Sequence, residues 1–189
     1  ERILLRPESF WVEREIDLLT GRRVSKLDPV GKTVTLASDD EIGYGKLIWA
    51  TGGSPRMLDC PGSQARNIHA VRSRADVDKI MAALPSVKKI VVIGGGYIGL
   101  EAAAVLTKLG KQITIVESLD RVLSRVAGET LSRFFEAEHR SHGVTIELEA
   151  TVAGFETGED GIATAVTLAD GRRRSATAPR TATPMPTAR

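Results

Sequence analysis

The sequence predicts an α/β protein, a parallel sheet with helices on both faces, extended by a β-meander. Three observations carry that prediction. The runs Lys89-Ile90-Val91-Val92-Ile93 and Ile113-Thr114-Ile115-Val116 are continuous, β-branched and apolar, the signature of strands buried on both faces. Helical stripes alternate with these runs, so that strand, helix, strand, helix and strand follow one another between residues 89 and 146. Gly110 and Gly143 each stand where a helical stripe stops, as a C-terminal glycine should.

Element by element, residues 8–15 suit a short helix, and Ile16-Asp17-Leu18-Leu19 reads as a strand. Thr33-Val34-Thr35-Leu36 is a second strand, followed by the polar turn Asp39-Asp40-Glu41. Lys46-Leu47-Ile48-Trp49-Ala50 reads as a third, stopping at Thr51-Gly52-Gly53-Ser54-Pro55. Residues 56–68 are loop-like, with Pro61-Gly62 as the clearest turn. Ser73 followed by Asp76 is a capping pair, ahead of the stripe Val77, Ile80, Met81, Leu84 that Pro85 ends. Gly94-Gly95-Gly96 turns the chain from strand into a helix over residues 97–109, striped by Ile98, Ala102, Val105 and Leu109. Residues 128–142 form a further helix, with Leu131, Phe134 and Phe135 apolar, and Val144-Thr145-Ile146 the next strand. Segments 152–155 and 163–168 make a hairpin or meander closed by Asp170-Gly171. From Ser175 to Pro186 the chain has no Leu, Ile, Val or aromatic residue, so residues 172–189 are expected to be a disordered tail.

Composition narrows the classes. The 189 residues are 42% apolar and 26% charged, enough for a real core, and a single cysteine excludes a disulfide scaffold. The longest uncharged apolar stretch, residues 90–100, is too short to span a bilayer, and no signal peptide is visible; a cytoplasmic protein without membrane association is expected. The net charge of +2 belongs to the end of the chain. Residues 171–189 hold five arginines and no acid, and the rest carries 21 basic against 24 acidic residues, which gives no footprint for nucleic acid.

The chemistry-bearing signal is Gly94-Gly95-Gly96-Tyr97-Ile98-Gly99, a G-x-G-x-x-G between a buried strand and a helix. Glu117 ends the following strand 18 residues after Gly99, close to the spacing of the dinucleotide fingerprint. In that reading Gly94 allows the tight turn, Gly96 lets a pyrophosphate approach the backbone, and Gly99 lets the helix pack on the sheet. The N–H groups near Tyr97 and Ile98 face the diphosphate with the positive end of the helix dipole. The carboxylate of Glu117 accepts from ribose hydroxyls and repels a 2′-phosphate, which favours NAD(H) over NADP(H), although Arg121 and Arg125 lie close behind it. Glu101 stands on the first turns of the helix, where two readings remain open: dipole electrostatics or contact with the nicotinamide end of the cofactor.

Leu5-Arg6-Pro7 with Phe10-Trp11, Thr20-Gly21-Arg22-Arg23-Val24, Leu47-Ile48-Trp49-Ala50-Thr51-Gly52 and Val91 through Glu101 together resemble the FAD-dependent ferredoxin–NAD reductases. These belong to the pyridine nucleotide-disulfide oxidoreductase superfamily, and the resemblance runs to about residue 171. It implies a Rossmann-like NAD(H)-binding domain over residues 73–171, joined to part of an FAD-binding domain over residues 1–72. It also implies electron transfer from NADH through FAD to an iron–sulfur ferredoxin of an oxygenase system, with no acid, base or nucleophile supplied by the protein. By the same resemblance Ala50, Thr51 and Gly52 approach FAD, Val24 meets its adenine end, and Arg72 lies at the flavin cofactor. The family's first glycine motif is missing ahead of Glu1, and the pattern breaks after Gly171. A fragment is therefore expected, with an incomplete flavin site. An NAD(H)-binding module without electron transfer of its own is the alternative, as is another superfamily member such as an NADH oxidase, a disulfide reductase or a nitrite reductase component.

The remaining candidates attract bland readings. Cys60 has no partner cysteine and reads as a loop thiol. His139 and His142 lie a turn apart on a helix without a third ligand, so no metal site is expected. Arg172-Arg173-Arg174 reads as a solvated charge run.

Overall fold

The computed structural model describes residues 6–176. The chain divides into two compact units, Glu1–Gly52 and Gly53–Arg189.

In the first unit a helix, α1 (Glu8–Val12), precedes a three-stranded antiparallel sheet of β1 (Val24–Asp28), β2 (Thr33–Leu36) and β3 (Glu41–Gly43), in that order. The β1–β2 turn forms because Asp28 Oδ1 accepts from the N–H groups of Val30 and Gly31, both at 2.9 Å. Those two bonds, Gly31 first, hold the Asp28 carboxyl below its ordinary value. Val34 and Leu36 bury the one apolar face of β2. Two expected strands are absent. Residues 16–19 and 46–50 lie outside any ladder, with Leu19, Ile48 and Trp49 exposed. An apolar run becomes a strand only where a neighbouring backbone accepts its hydrogen bonds.

In the second unit, α2 (Arg74–Ala83) opens with the expected capping box. Ser73 Oγ accepts from the Asp76 N–H at 3.3 Å, and Asp76 Oδ2 accepts from the Ser73 N–H at 2.8 Å. A single 3₁₀ turn over Leu84–Ser86 then leads into β4 (Lys89–Ile93), α3 (Tyr97–Lys108), β5 (Gln112–Val116), α4 (Glu129–Ser141) and β6 (Thr145–Glu147). The strands form a parallel sheet in the order β4-β5-β6, with Ile93 beside Val116 and Val116 beside Glu147. A meander follows, β7 (Val152–Thr157), β8 (Ala163–Leu168) and β9 (Arg173–Ser175), all antiparallel.

The α/β sheet and its meander are as the sequence led one to expect, with one refinement. All three helices lie on a single face. Ile113 and Ile115 of β5 pack with Leu84, Leu100, Ala103, Leu106, Phe135 and Ile80. Val116, on the opposite face of the same strand, packs with Ala150, Val166 and Leu168. The meander thus takes the face that a second layer of helices would otherwise cover. Residues 60–67 join this layer: Phe155 N–H donates to Pro61 O at 2.8 Å, and the Asn67 side chain exchanges two hydrogen bonds with the Ala163 backbone at 2.8 and 2.9 Å.

The disorder expected from residue 172 does not hold for residues 173–175, which form β9. The arginines are not merely solvated. Arg172 and Arg174 both pair with Glu147, and Arg173 pairs with Glu156 at 2.6 Å. Partners distant in sequence supply the ordering that composition alone denied. The remainder of the tail, residues 177–189, lies outside the described residues.

One close approach fixes how α3 meets β4. A Cβ built on Gly99 would lie 2.0 Å from the Gly94 carbonyl oxygen. Gly99→Ala must push the helix off the strand, an overpacking cost of about 1–3 kcal/mol. A urea unfolding midpoint equal to that of the unsubstituted chain would refute this packing account.

Candidate functional site

The glycine turn and Glu117 meet at the carboxyl ends of two adjacent parallel strands. The parallel ladder runs past the strand ends, with the Gly94 N–H donating to Val116 O at 2.8 Å and the Glu117 N–H to Glu147 O at 2.9 Å. Gly94 sits at φ +103°, a left-handed conformation that favours glycine. Gly96 is different. Its backbone is ordinary and extended (φ −79°, ψ −179°), and a Cβ there would meet nothing within 4 Å. Neither strain nor packing within the chain asks for glycine at this position. The open space lies at the start of α3, whose N-cap, Gly96, offers no side chain and whose first turn holds no acid. By contrast, α2 spends its first amides on its own capping box. Tyr97 and Ile98, the first residues of α3, are exposed at 54% and 57%, so the uncapped turn faces outward.

Glu117 is half-buried beside this turn. Its Oε2 accepts from the Gly95 N–H at 2.6 Å, and its Oε1 accepts from the Leu119 N–H at 3.0 Å. The carboxylate is thereby fixed next to the glycines, which local spacing alone could not specify. Gly95 is buried, and a Cβ there would come within 2.9 Å of Val122 Cγ1. The Gly95 carbonyl accepts from the Leu123 N–H at 2.9 Å. This middle glycine, which the motif leaves unassigned, is thus the residue that the surrounding chain grips.

Arg121 turns inward. Its Nη1 donates to Ala127 O at 2.8 Å and to Ser132 Oγ at 2.7 Å, while Nη2 donates to Ser124 O at 3.1 Å. With those donors committed, only the exposed Arg125 is left of the two arginines behind Glu117. Glu101 is exposed on α3, one turn beyond the amides of Tyr97 and Ile98.

The residues assigned to the flavin by resemblance fall in both units. Val24 opens β1, and Ala50, Thr51 and Gly52 are exposed outside any strand; Arg72 is exposed just before α2, its N–H donating to Asp76 Oδ2 at 3.3 Å. Cys60 is a half-buried free thiol. His139 and His142 part company. The His139 ring is buried between backbone carbonyls, and exposed His142 pairs with Glu138 at 3.1 Å. Among the described residues no helix is long and apolar enough to cross a membrane.

A family profile described as pyridine nucleotide-disulphide oxidoreductase matches residues 5–183. The chain is 56% identical over 171 residues to the 5,5′-dehydrodivanillate O-demethylase ferredoxin reductase subunit of Sphingobium sp. strain SYK-6, covering 90% of this chain and 42% of that protein. It is 55% identical over 170 residues to a ferredoxin–NAD(P)(+) reductase of Sphingomonas sp., covering 90% of this chain and 41% of that one. Among solved structures, the ferredoxin reductase for the CYP199A2 system from Rhodopseudomonas palustris superposes with a TM-score of 0.86 at 32% identity, over 92% of this chain and 42% of that one. The chain thus spans about two-fifths of the length of these relatives. The profile match and the shared fold agree with the glycine turn and its acid: the chain belongs to the pyridine nucleotide-disulphide oxidoreductase family.

Proposed function

We propose that this chain contains the NADH-binding part of an FAD-dependent ferredoxin reductase serving an oxygenase system. One observation carries the nucleotide half of that reading. Gly96 is a glycine that neither backbone angle nor packing requires, and it borders an uncapped helix start beside a fixed carboxylate. A pyrophosphate at that position takes the Tyr97 and Ile98 amides as donors, and the space above Gly96 admits its oxygens. Glu117 already accepts from the Gly95 and Leu119 N–H groups and from Ser118 Oγ at 3.3 Å, and a carboxylate accepts about four hydrogen bonds, so a place remains for an adenosine ribose hydroxyl. Glu101, exposed on α3 one turn beyond the Tyr97 and Ile98 amides, is the residue proposed to meet the nicotinamide end of the cofactor.

The electron-transfer half rests on the relatives' names and on the resemblance. A bound flavin supplies the conversion of a two-electron hydride into single electrons. In this chain Val24, Ala50, Thr51, Gly52 and Arg72 are the residues proposed to contact it. An iron–sulfur ferredoxin is the proposed acceptor, and the cytoplasm, where NADH is regenerated, the proposed location. The domain division at residue 73 belongs to the same proposal. The exposed, strand-free state of Ala50–Gly52 favours a second reading for the isolated chain, a nucleotide-binding module that transfers no electrons by itself.

Two experiments test these readings. Glu117→Gln keeps an acceptor for the Gly95 N–H and removes the charge. It should weaken NADH binding by about tenfold and narrow the preference over NADPH, as loss of a charged hydrogen bond worth about 1.5–3 kcal/mol requires. Unchanged affinity for both nucleotides in calorimetric titration would remove Glu117 from the ribose site. The purified chain should bind NADH yet show no visible flavin band; a yellow protein with stoichiometric flavin would establish that this chain already completes a flavin site.

A further inference from the structure

Every buried polar or charged residue among the described residues lies on one face of one helix. Ser132, Glu136 and His139 of α4 are 0%, 3% and 8% exposed, and they fall at i, i+4 and i+7. A helix in this position ordinarily presents an apolar stripe to its sheet, and apolar side chains there would be at least as stabilising as a buried carboxylate. The three side chains reach the two segments that frame the candidate nucleotide site. Ser132 Oγ accepts from Arg121 at 2.7 Å, and Arg121 in turn closes the loop by donating to Ser124 O and Ala127 O. Glu136 Oε1 accepts from the Val122 N–H at 3.2 Å, while Arg133 and Arg140 balance its charge at 3.1 and 3.3 Å. His139 Nε2 faces Leu100 O on α3 at 3.1 Å, and Nδ1 faces Phe135 O at 2.9 Å.

What the loop does with that anchorage is visible at Gly95. Leu123, held at φ +56°, donates its N–H to Gly95 O at 2.9 Å, and the Val122 side chain covers the glycine. On the other side the Gly95 N–H donates to Glu117 at 2.6 Å. A continuous hydrogen-bonded path therefore runs from α4 through the 118–127 loop to the peptide of the central glycine. We propose that the polar face of α4 is a positioning device for the dinucleotide, with Glu136 as its principal member, acting through Val122, Leu123 and Gly95 without touching the ligand. The inference rests on the dinucleotide reading of the site and deepens it.

The test compares Glu136→Leu, which deletes the acceptor, with Glu136→Gln, which retains it and loses the charge. Each is titrated calorimetrically in the full chain with NADH and with ADP-ribose, which lacks the nicotinamide, at a temperature where thermal unfolding shows every variant folded. Glu136→Leu should weaken both ligands by the same factor, about five- to tenfold, as expected for a coupled residue that makes no ligand contact. Glu136→Gln should restore affinity to within about twofold of the parent chain, even if its unfolding temperature is lower. Should Glu136→Leu not fold, Ser132→Ala, which removes the Arg121 acceptor, takes its place and should weaken both ligands by about threefold. Variants that lose stability but keep the parent affinities would overturn the positioning role and leave the nucleotide site standing. A parent chain that binds neither ligand would overturn the nucleotide reading itself.

Discussion

The peptide of Gly95 is the point on which the second unit's geometry converges. Its N–H is taken by the Glu117 carboxylate and its carbonyl by the Leu123 N–H, so one glycine joins the end of β4, the end of β5 and the loop behind it. Such a junction allows little play, because both peptide groups are hydrogen-bonded and the glycine is buried with no room for a side chain. The consequence is division of labour within the triple glycine. Gly94 supplies a backbone angle, Gly95 is gripped by the protein, and Gly96 is left facing open space. Preorganisation of this kind removes the cost of ordering a loop when a ligand arrives.

The layers behind the site explain why it can be so tightly held. β5 runs between β4 and β6, and its side chains alternate between the helical core and the meander core. Ile115 and Val116, adjacent in sequence, are exposed at 0% and 1% on opposite faces. Glu117 follows directly, so the chain emerges from this buried central strand at the residue whose carboxylate organises the turn. The meander is secured in turn by ion pairs from β9 to Glu147 and Glu156, and by the 60–67 segment laid across it. Exposed pairs of this sort contribute little singly; the half-buried Glu147, shared by two arginines, gives the network its one sheltered anchor.

The two units differ in how much of their apolar sequence they bury. Among the described residues the second holds two cores, whereas the first buries little beyond Val34 and Leu36 and leaves Ile48, Trp49, Leu18 and Leu19 exposed. The chain spans about two-fifths of its reductase relatives. Local hydrophobicity does not form a strand in the absence of a ladder, and this is why the runs at 16–19 and 46–50 misled a reading based on pattern alone.

What the sequence by itself determined was everything that depends on short-range pattern. The βαβαβ order, the helix stops at Gly110 and Gly143, the Ser73–Asp76 capping box and the glycine turn with its acid all follow from periodicity and backbone preference within a few residues. What only the tertiary structure decided were relations between groups far apart in the chain. The tertiary fold set which way Arg121 turned, put the helices on one face and the meander on the other, and drew residues 173–175 into β9. The polar face of α4 was hidden for the same reason. Ser132, Glu136 and His139 look like ordinary surface residues until the loop carrying Val122 and the helix carrying Leu100 fold against them, because burial and partnership are properties of the packed chain and not of any one segment.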